Sequence, residues 1–186
     1  MGRIEELAGR FRGHIGAPWQ RNLAGDQKAI FVVYPKTDER KLRARLELFE
    51  MGASSAGHGW RLVDLTDCFA RWMAAADYRE EYFEDPEALV TGPKSQFTNF
   101  AANRLRQELI APEVHEETVV AVCGAASLYG FTFLSAIMSL IKNDIRGRLV
   151  VFFPGEFDEN TYRLLDARDG WNYLAVPITL HNGVND

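Results

Sequence analysis

Two hydrophobic patterns alternate along the chain. The first is helical, with apolar residues three and four positions apart, as at Ile4, Leu7, Phe11 and Ile15. The second is a short run that is apolar throughout, which is typical of a strand buried on both faces. Such runs lie at 29–34, 60–65, 119–123 and 149–153. The alternation predicts strands that are connected by helices.

Further elements are predicted between and after these runs. We expect helices from Asp38 to about 52, from Thr66 or Asp67 to about 76, at 96–110 and at 131–141, the last one apolar on nearly all sides. Residues 78–87 are predicted to be a solvated connection, because five acidic side chains stand against one basic side chain. Residues 162–165 and 173–179 are strand-like. Pro177 lacks an amide donor, so the second of these strands should lie at a sheet edge or pair only partly.

These elements together predict the fold class. Strands that are apolar throughout need helices on both faces, which indicates a three-layer α/β fold with a mainly parallel sheet, Rossmann-like or similar to a degenerate P-loop fold. We expect residues 1–186 to form a single α/β domain, with the helix at 1–15 packed on the outside. In open sheets of this kind, ligands bind beyond the carboxyl ends of the strands. The loops that contain Pro35, Gly124 and Pro154 would gather there.

Charge and cysteine content narrow the functional class. The 186 residues include 26 acidic and 21 basic side chains, and the net charge of −5 weakens the case for a general nucleic-acid binder. The run at 36–45 carries a local charge of +3 and is predicted to be the solvated face of a helix, with a phosphate contact as the alternative. Two cysteines and the lack of a membrane-length apolar run favour a soluble protein of the reducing cytoplasm.

The turn at 124–132 lies between an apolar strand and an apolar helix, as a phosphate-binding loop does. However, five residues separate Gly124 from Gly130, and Phe131 stands in the place of the P-loop lysine, before Thr132. The turn is therefore predicted to be a structural connection. The alternative is an altered phosphate loop in a nucleotide-binding protein or a weak NTPase.

Other signatures of catalysis are weak. Ser127 lacks the Gly-x-Ser-x-Gly spacing of a nucleophile elbow and is predicted to cap a helix. Cys123 follows four apolar residues and is predicted to be a buried small hydrophobe. The four histidines lack the spacing of metal ligands, and no Gly-x-Gly-x-x-Gly motif supports a dinucleotide. We therefore predict no catalytic residue, no metal and no cofactor.

Residues 154–178 mix charged and aromatic side chains. Tyr, Trp and Arg contribute contact area and polar groups together, as protein-binding surfaces require. A pair of strands with its own ion pairs would give the same pattern. Six residues are candidates for partner binding: Glu156, Arg163, Asp166, Arg168, Asp169 and Trp171.

Three segments of this region resemble a known family. They are Phe-Pro-Gly-Glu at 153–156, Tyr-Arg-Leu-Leu-Asp at 162–166 and Asp-Gly-Trp-Asn-Tyr-Leu-Ala-Val-Pro-Ile at 169–178. Together with the Val-Cys-Gly-Ala-Ala-Ser-Leu-Tyr-Gly turn that precedes them, they are similar to the BrxB family of BREX bacteriophage-defence systems. The resemblance implies a non-enzymatic cytoplasmic component of an assembly that recognises foreign DNA and supports host DNA methylation.

The resemblance also implies the partners. They are a PglZ-like protein of the alkaline-phosphatase superfamily, a large ATPase and a methyltransferase, with DNA contacted only through the complex and no membrane. The first hypothesis is thus an adaptor or scaffold that binds a PglZ-like partner. The second is the nucleotide-binding protein with an altered loop at 124–132. Direct DNA binding through 36–45 is the third, and the overall acidity disfavours it.

Overall fold

The computed structural model describes residues 2–91, 94–167, 170–171 and 173–180. In this part of the chain the strands are β1 (Ala29–Tyr34), β2 (Gly59–Asp64), β3 (Thr118–Cys123), β4 (Arg148–Asp158), β5 (Thr161–Leu164) and β6 (Val176–Ile178). The helices are α1 (Arg3–Ile15), α2 (Glu39–Arg43), α3 (Leu46–Ser55), α4 (Cys68–Ala75), α5 (Arg79–Glu84), α6 (Glu87–Thr91), α7 (Lys94–Leu109) and α8 (Leu134–Ile141).

Five strands form a parallel sheet in the order β2-β3-β4-β1-β6. After β1 the chain crosses to the edge strand β2 and then returns through β3 to β4, which lies beside β1. β5 pairs antiparallel with the end of β4. Pro177 lies in β6, which is an edge strand, as the missing amide predicted. The strand is shorter than the predicted 173–179, because it spans Val176–Ile178.

Helices cover both faces of this sheet, and alternate side chains of each strand enter two separate cores. On β1, Phe31 packs with residues of α4, α7 and α8, whereas Ile30 and Val32 pack with residues of α1, α2 and α3. β1 and β3 are buried at every position, which explains why β1 is apolar throughout and β3 is apolar after Thr118. The predicted three-layer α/β fold is confirmed.

The helices differ from the prediction in two places. The helix expected from Asp38 is divided into α2 and α3, because the N–H of Arg45 donates to the carbonyl oxygen of Leu42 and so departs from the α-helical spacing. Residues 78–87 are largely exposed, as expected, but they form α5 and the start of α6. Tyr82 of α5 packs on Trp72 with 6.3 Å between ring centroids, a contact that a count of charges does not reveal.

The helix predicted at 131–141 begins later. Gly130 has a φ of +85° and Phe133 is extended, so α8 starts at Leu134 and residues 129–133 form a loop. None of the helices among the described residues is both long enough and apolar enough to cross a bilayer.

A tight turn closes the hairpin formed by β4 and β5. Glu159 and Asn160 have φ angles of 44° and 62°, the pattern of a two-residue type I′ turn. At the other end of the hairpin, a Cβ on Gly155 would lie 2.0 Å from the carbonyl oxygen of Arg163. Glycine is therefore required where the two strands approach each other.

The hairpin in turn holds the segment that follows it. Tyr162 and Trp171 form an antiparallel bridge, and each backbone N–H donates to the other residue's carbonyl oxygen at 2.9 Å. The buried Tyr162 hydroxyl donates to the carbonyl oxygen of Ala175 at 2.9 Å. These bonds place Trp171 and residues 173–175 beside the loop at 129–133, and Trp171 and Tyr173 line one cavity together with that loop.

Candidate functional site

The carboxyl edge of the parallel sheet brings together the segments around Pro35, Gly124 and Pro154. Tyr34, at the end of β1, pairs with Pro154 of the neighbouring strand β4. Pro154 lies within β4 and not in a loop as expected, because the strand predicted to end at residue 153 continues to Asp158, where it pairs with β5. Gly124 follows β3 and lies against the loop after β2. Three features of this edge bear on function: the turn at 124–132, a charged network, and an aromatic cavity.

The turn at 124–132 is filled by the protein's own groups. Gly124 has a φ of +78°, and a Cβ there would lie 2.7 Å from Asp64 Oδ1 and from Thr66. The hydroxyl of Ser127 lies 2.8 Å from the carbonyl oxygen of Leu65 and 2.7 Å from that of Gly124, either of which accepts its hydrogen bond. Ser127 thus ties two loops together, and the expectation that it caps a helix is wrong.

Cys123 is fully buried at the end of β3. Burial, together with the nearby charge of Asp64, raises the pKa of its thiol to about 12. The thiol is therefore protonated at neutral pH and is not an activated nucleophile. Its surroundings match the buried small hydrophobe that the sequence predicted.

The basic run at 36–45 forms ion pairs within the chain. Arg43 contacts Glu39 at 2.8 Å and Asp64 at 3.1 Å, and it donates to the Thr66 hydroxyl at 2.6 Å. The other pairs are Lys36 with Asp166, Lys41 with Asp38, and Arg45 with Glu5. Four of the five cations of the run therefore have carboxylate partners, and a phosphate that bound through more than Arg40 would have to displace an existing contact.

The same network sets the protonation of two groups beside it. Burial raises the pKa of Asp64, but hydrogen bonds from Thr66 and the contact with Arg43 outweigh it and lower the pKa to about 2. Tyr34 is buried and its hydroxyl donates to Glu39, and burial raises its pKa well above the usual range. The network of ion pairs and hydrogen bonds connects α2 to the loop after β2.

The structure describes four of the six candidate partner-binding residues, and these four do not all lie on one face. Glu156 and Arg163 are opposite each other on the β4–β5 hairpin, so their side chains share one face, while Asp166 pairs with Lys36. Trp171 is opposite Tyr162, one position along, and therefore lies on the other face. Arg168 and Asp169 fall outside the residues that the structure describes.

Trp171 belongs to a cavity of about 330 Å³ that we call the aromatic groove. Its floor is formed by Phe153, Tyr162 and Leu164, and its walls are formed by Tyr129, Phe131, Phe133, Trp171 and Tyr173. The rings of Phe133 and Trp171 are 5.6 Å apart, although Phe133 is 58% and Trp171 43% exposed. Two large rings thus pair with each other at the surface instead of entering the core.

The polar groups of the groove are few. The hydroxyls of Thr132 and Thr98 are 2.5 Å apart and hydrogen-bond to each other. Burial raises the pKa of Tyr173 to about 12, so this phenol is neutral at physiological pH. Lys94 at one end is the charged side chain of the described lining. The groove is suited to apolar contact.

Sequence reasoning found Trp171 but missed Phe131 and Phe133. Both were assigned to a buried helix, because residues 131–141 form one apolar run. The sequence signals for a loop were Gly130, just before the two rings, and the polar Thr132 between them. In the structure Gly130 has a positive φ, which regular helices do not contain.

No group of three or more His, Cys, Asp or Glu residues with the geometry of a metal site occurs in the described ranges 2–91, 94–167, 170–171 and 173–180. Comparisons with protein-family models, with curated proteins and with solved structures found no match for this chain.

Proposed function

We propose that the protein is a non-enzymatic adaptor that binds another protein through the aromatic groove. The observation that carries the proposal is the exposed pair Phe133 and Trp171 at the mouth of an apolar cavity. Exposed apolar side chains that line a concave surface are typical of binding sites, and Trp and Tyr dominate binding energies because they bury large areas with little loss of entropy.

The chemistry of the carboxyl edge supports the non-enzymatic part of the proposal. The groups a hydrolase would use as nucleophiles here are held in structural roles, since Cys123 is a buried neutral thiol and Ser127 donates to backbone oxygens. The turn that resembles a phosphate loop is occupied by Asp64 and Thr66. The exposed feature of this edge that has no such structural role is the apolar surface of the aromatic groove.

The resemblance to the BrxB family supplies the partner in this proposal. It rests on the segments at 153–156, 162–166 and 169–178. On this basis we assign the protein to a cytoplasmic BREX assembly, in which it binds a PglZ-like protein and acts with the ATPase and the methyltransferase. Contact with DNA would then occur through the complex, in keeping with the net charge of −5.

Co-purification tests the proposal. The affinity-tagged protein is expressed in cells that carry the complete set of BREX genes, and the bound proteins are identified by mass spectrometry. We expect the wild type to recover the PglZ-like partner, and Phe133→Ala or Trp171→Ala to reduce its recovery by about tenfold or more, as loss of an aromatic anchor does. Phage restriction should fall in parallel.

Met51→Ala is the matched control. Met51 is 64% exposed on α3, on the opposite face of the sheet, so its truncation should leave recovery unchanged. Circular dichroism of each variant establishes that it is folded. If the wild type recovers no PglZ-like protein, or if the folded groove variants recover as much as the wild type, the proposal is wrong.

A further inference from the structure

Helix α5 presents a strongly acidic surface. Residues 78–87 contain Arg79 and five carboxylates, and Arg79 is occupied by Glu80 at 3.3 Å and by the carbonyl oxygen of Ala74 at 3.0 Å. In the part of the chain that the structure describes, Glu81 and Glu84 are exposed and lie in no ion pair. This surface therefore has negative charge available for a partner.

The same surface carries exposed rings. Tyr78 and Phe83 are each 64% exposed, the highest values among the aromatic residues of the described chain. Tyr82, between them in sequence, points inward and packs on Trp72. Helix α5 thus packs on the protein through Tyr82, while Tyr78 and Phe83 are exposed among carboxylates. Exposure of two aromatic rings to water is unfavourable, and such rings are typical of a surface that binds another molecule.

A continuous row of rings joins α5 to the aromatic groove. Tyr82 contacts Trp72, Trp72 contacts Phe69 at 5.6 Å, and Phe69 stacks on Phe131 at 3.8 Å. Phe131 is a wall of the groove, and Lys94 lines both the groove and the small cavity over Phe69 and Trp72. The groove and the acidic helix therefore belong to the same face of the molecule.

We infer that the occupant of this face is a segment of the partner protein that is both basic and apolar. The inference rests on the adaptor function proposed above and adds the chemistry of the bound segment. Apolar side chains of the segment enter the groove at Phe133 and Trp171, and its lysines or arginines lie over Glu81 and Glu84. Opposite charge at the rim steers association and selects among apolar partners.

The charge of the face argues against two other occupants. Nucleic acid would place phosphates beside carboxylates, which is repulsive. A second copy of this chain carries a net charge of −5 and would bring further negative charge to this face. In its basic run at 36–45, Arg40 is the cation without an ion pair among the described residues, since Lys36, Lys41, Arg43 and Arg45 pair with carboxylates. A basic segment from another protein complements the exposed rings and the carboxylates of α5, provided that its cations lie over Glu81 and Glu84 and away from Lys94 at the end of the groove.

Three synthetic peptides of about 18 residues test the inference with the purified full chain. The first has a helical pattern of Leu with Lys between the leucines, the second keeps the Leu pattern but has Glu for Lys, and the third keeps Lys but has Ser for Leu. Fluorescence anisotropy at low and high salt measures binding. We expect the Leu/Lys peptide to bind about tenfold more tightly than either of the others, with the difference from the Leu/Glu peptide shrinking in salt.

Two sets of variants locate the binding. Phe133→Ala should weaken the Leu/Lys peptide by about tenfold, and the triple change Glu80→Lys, Glu81→Lys and Glu84→Lys should do the same at low salt. The control is Glu47→Lys with Glu50→Lys, two exposed residues of α3 on the opposite face, which should change little. Equal binding of all three peptides, or an unchanged affinity in the α5 variant, would overturn the inference.

The outcomes separate the inference from the adaptor function. If co-purification of the PglZ-like partner is lost in Phe133→Ala but unaffected in the α5 triple variant, the adaptor function stands and the basic character of the segment is wrong. If the wild type recovers no partner, the adaptor function fails and the peptide series alone decides the inference. A concentration-dependent dimer in light scattering that Phe133→Ala abolishes would assign the face to a second copy and overturn the inference.

Discussion

At the scale of single residues, the charged groups of the carboxyl edge connect separate elements of the fold through ion pairs and hydrogen bonds. Arg43 reaches Glu39 on its own helix and Asp64 and Thr66 in the loop after β2. A charge count of the run at 36–45 suggests a surface for phosphates, but a count cannot show which carboxylates fold back onto it. The ion pairs indicate that these residues serve the fold.

Asp64→Asn tests the charged network. At neutral pH the variant should be less stable by about 1 kcal/mol, a figure kept small because the side chain is about half exposed. The pKa of Asp64 is about 2 in the folded protein, below the value of about 3.9 in an unfolded chain. The stabilisation is therefore complete above about pH 4 and is lost as the pH falls towards 2.

Urea unfolding at about pH 7, 4 and 2.5 measures this effect. The difference in free energy of unfolding between wild type and Asp64→Asn should shrink at the lowest pH. Asp77→Asn is the control, because Asp77 is exposed and forms no ion pair among the described residues. A difference that stays constant down to pH 2.5 would show that the charge of Asp64 is not its source.

At the scale of elements, the β4–β5 hairpin is the support of the aromatic groove. Its strand β5 supplies Tyr162 to the floor and bridges to Trp171 on the wall. The close approach at Gly155 is what allows the two strands to pair at this point. A change at Gly155 therefore acts on stability and on the groove together.

Gly155→Ala should destabilise the protein by about 1–3 kcal/mol, because its Cβ would overlap the carbonyl oxygen of Arg163. Recovery of the partner should fall as well. Gly13→Ala is the matched control, since Gly13 lies in helix α1 with no atom within 4 Å of its added Cβ, and it should be neutral or stabilise by up to about 1 kcal/mol. Equal stabilities of the two variants in chemical denaturation would contradict this account of the hairpin.

The elements also show what the sequence could and could not predict. The bounds of β1 and α1 follow from local patterns, because an unbroken apolar run and a regular apolar stripe each have one simple explanation. The aromatic groove has no such signal, since it joins Phe133 to Trp171 through the pairing of β5. The strand order that brings those loops together depends on contacts between distant residues, and a single sequence does not display them.

At the scale of the whole molecule, the scaffold is a three-layer α/β fold with a mainly parallel sheet, and its turn after β3 lies against the protein's own Asp64 and Thr66. Nucleotide binding at 124–132 remains the alternative prediction, and a thermal-shift scan with ATP or GTP and magnesium tests it. We expect no change in Tm. A nucleotide at 100 times its Kd would stabilise the protein by about 2.7 kcal/mol. A saturable rise in Tm that Ser127→Ala reduces would favour the alternative.

The position of β1 has a consequence for how the chain is made. β1 leaves the ribosome before both of its sheet neighbours, β4 and β6, and Ala29 pairs with Leu149, more than a hundred residues later. The six residues of β1 therefore have no strand to pair with, and the face that packs against α4, α7 and α8 stays uncovered, until those later segments have been synthesised. Nascent chains halted before residue 148 should accordingly depend on chaperones, since both edges of β1, an interior strand of the finished sheet, would be unpaired and open to aggregation.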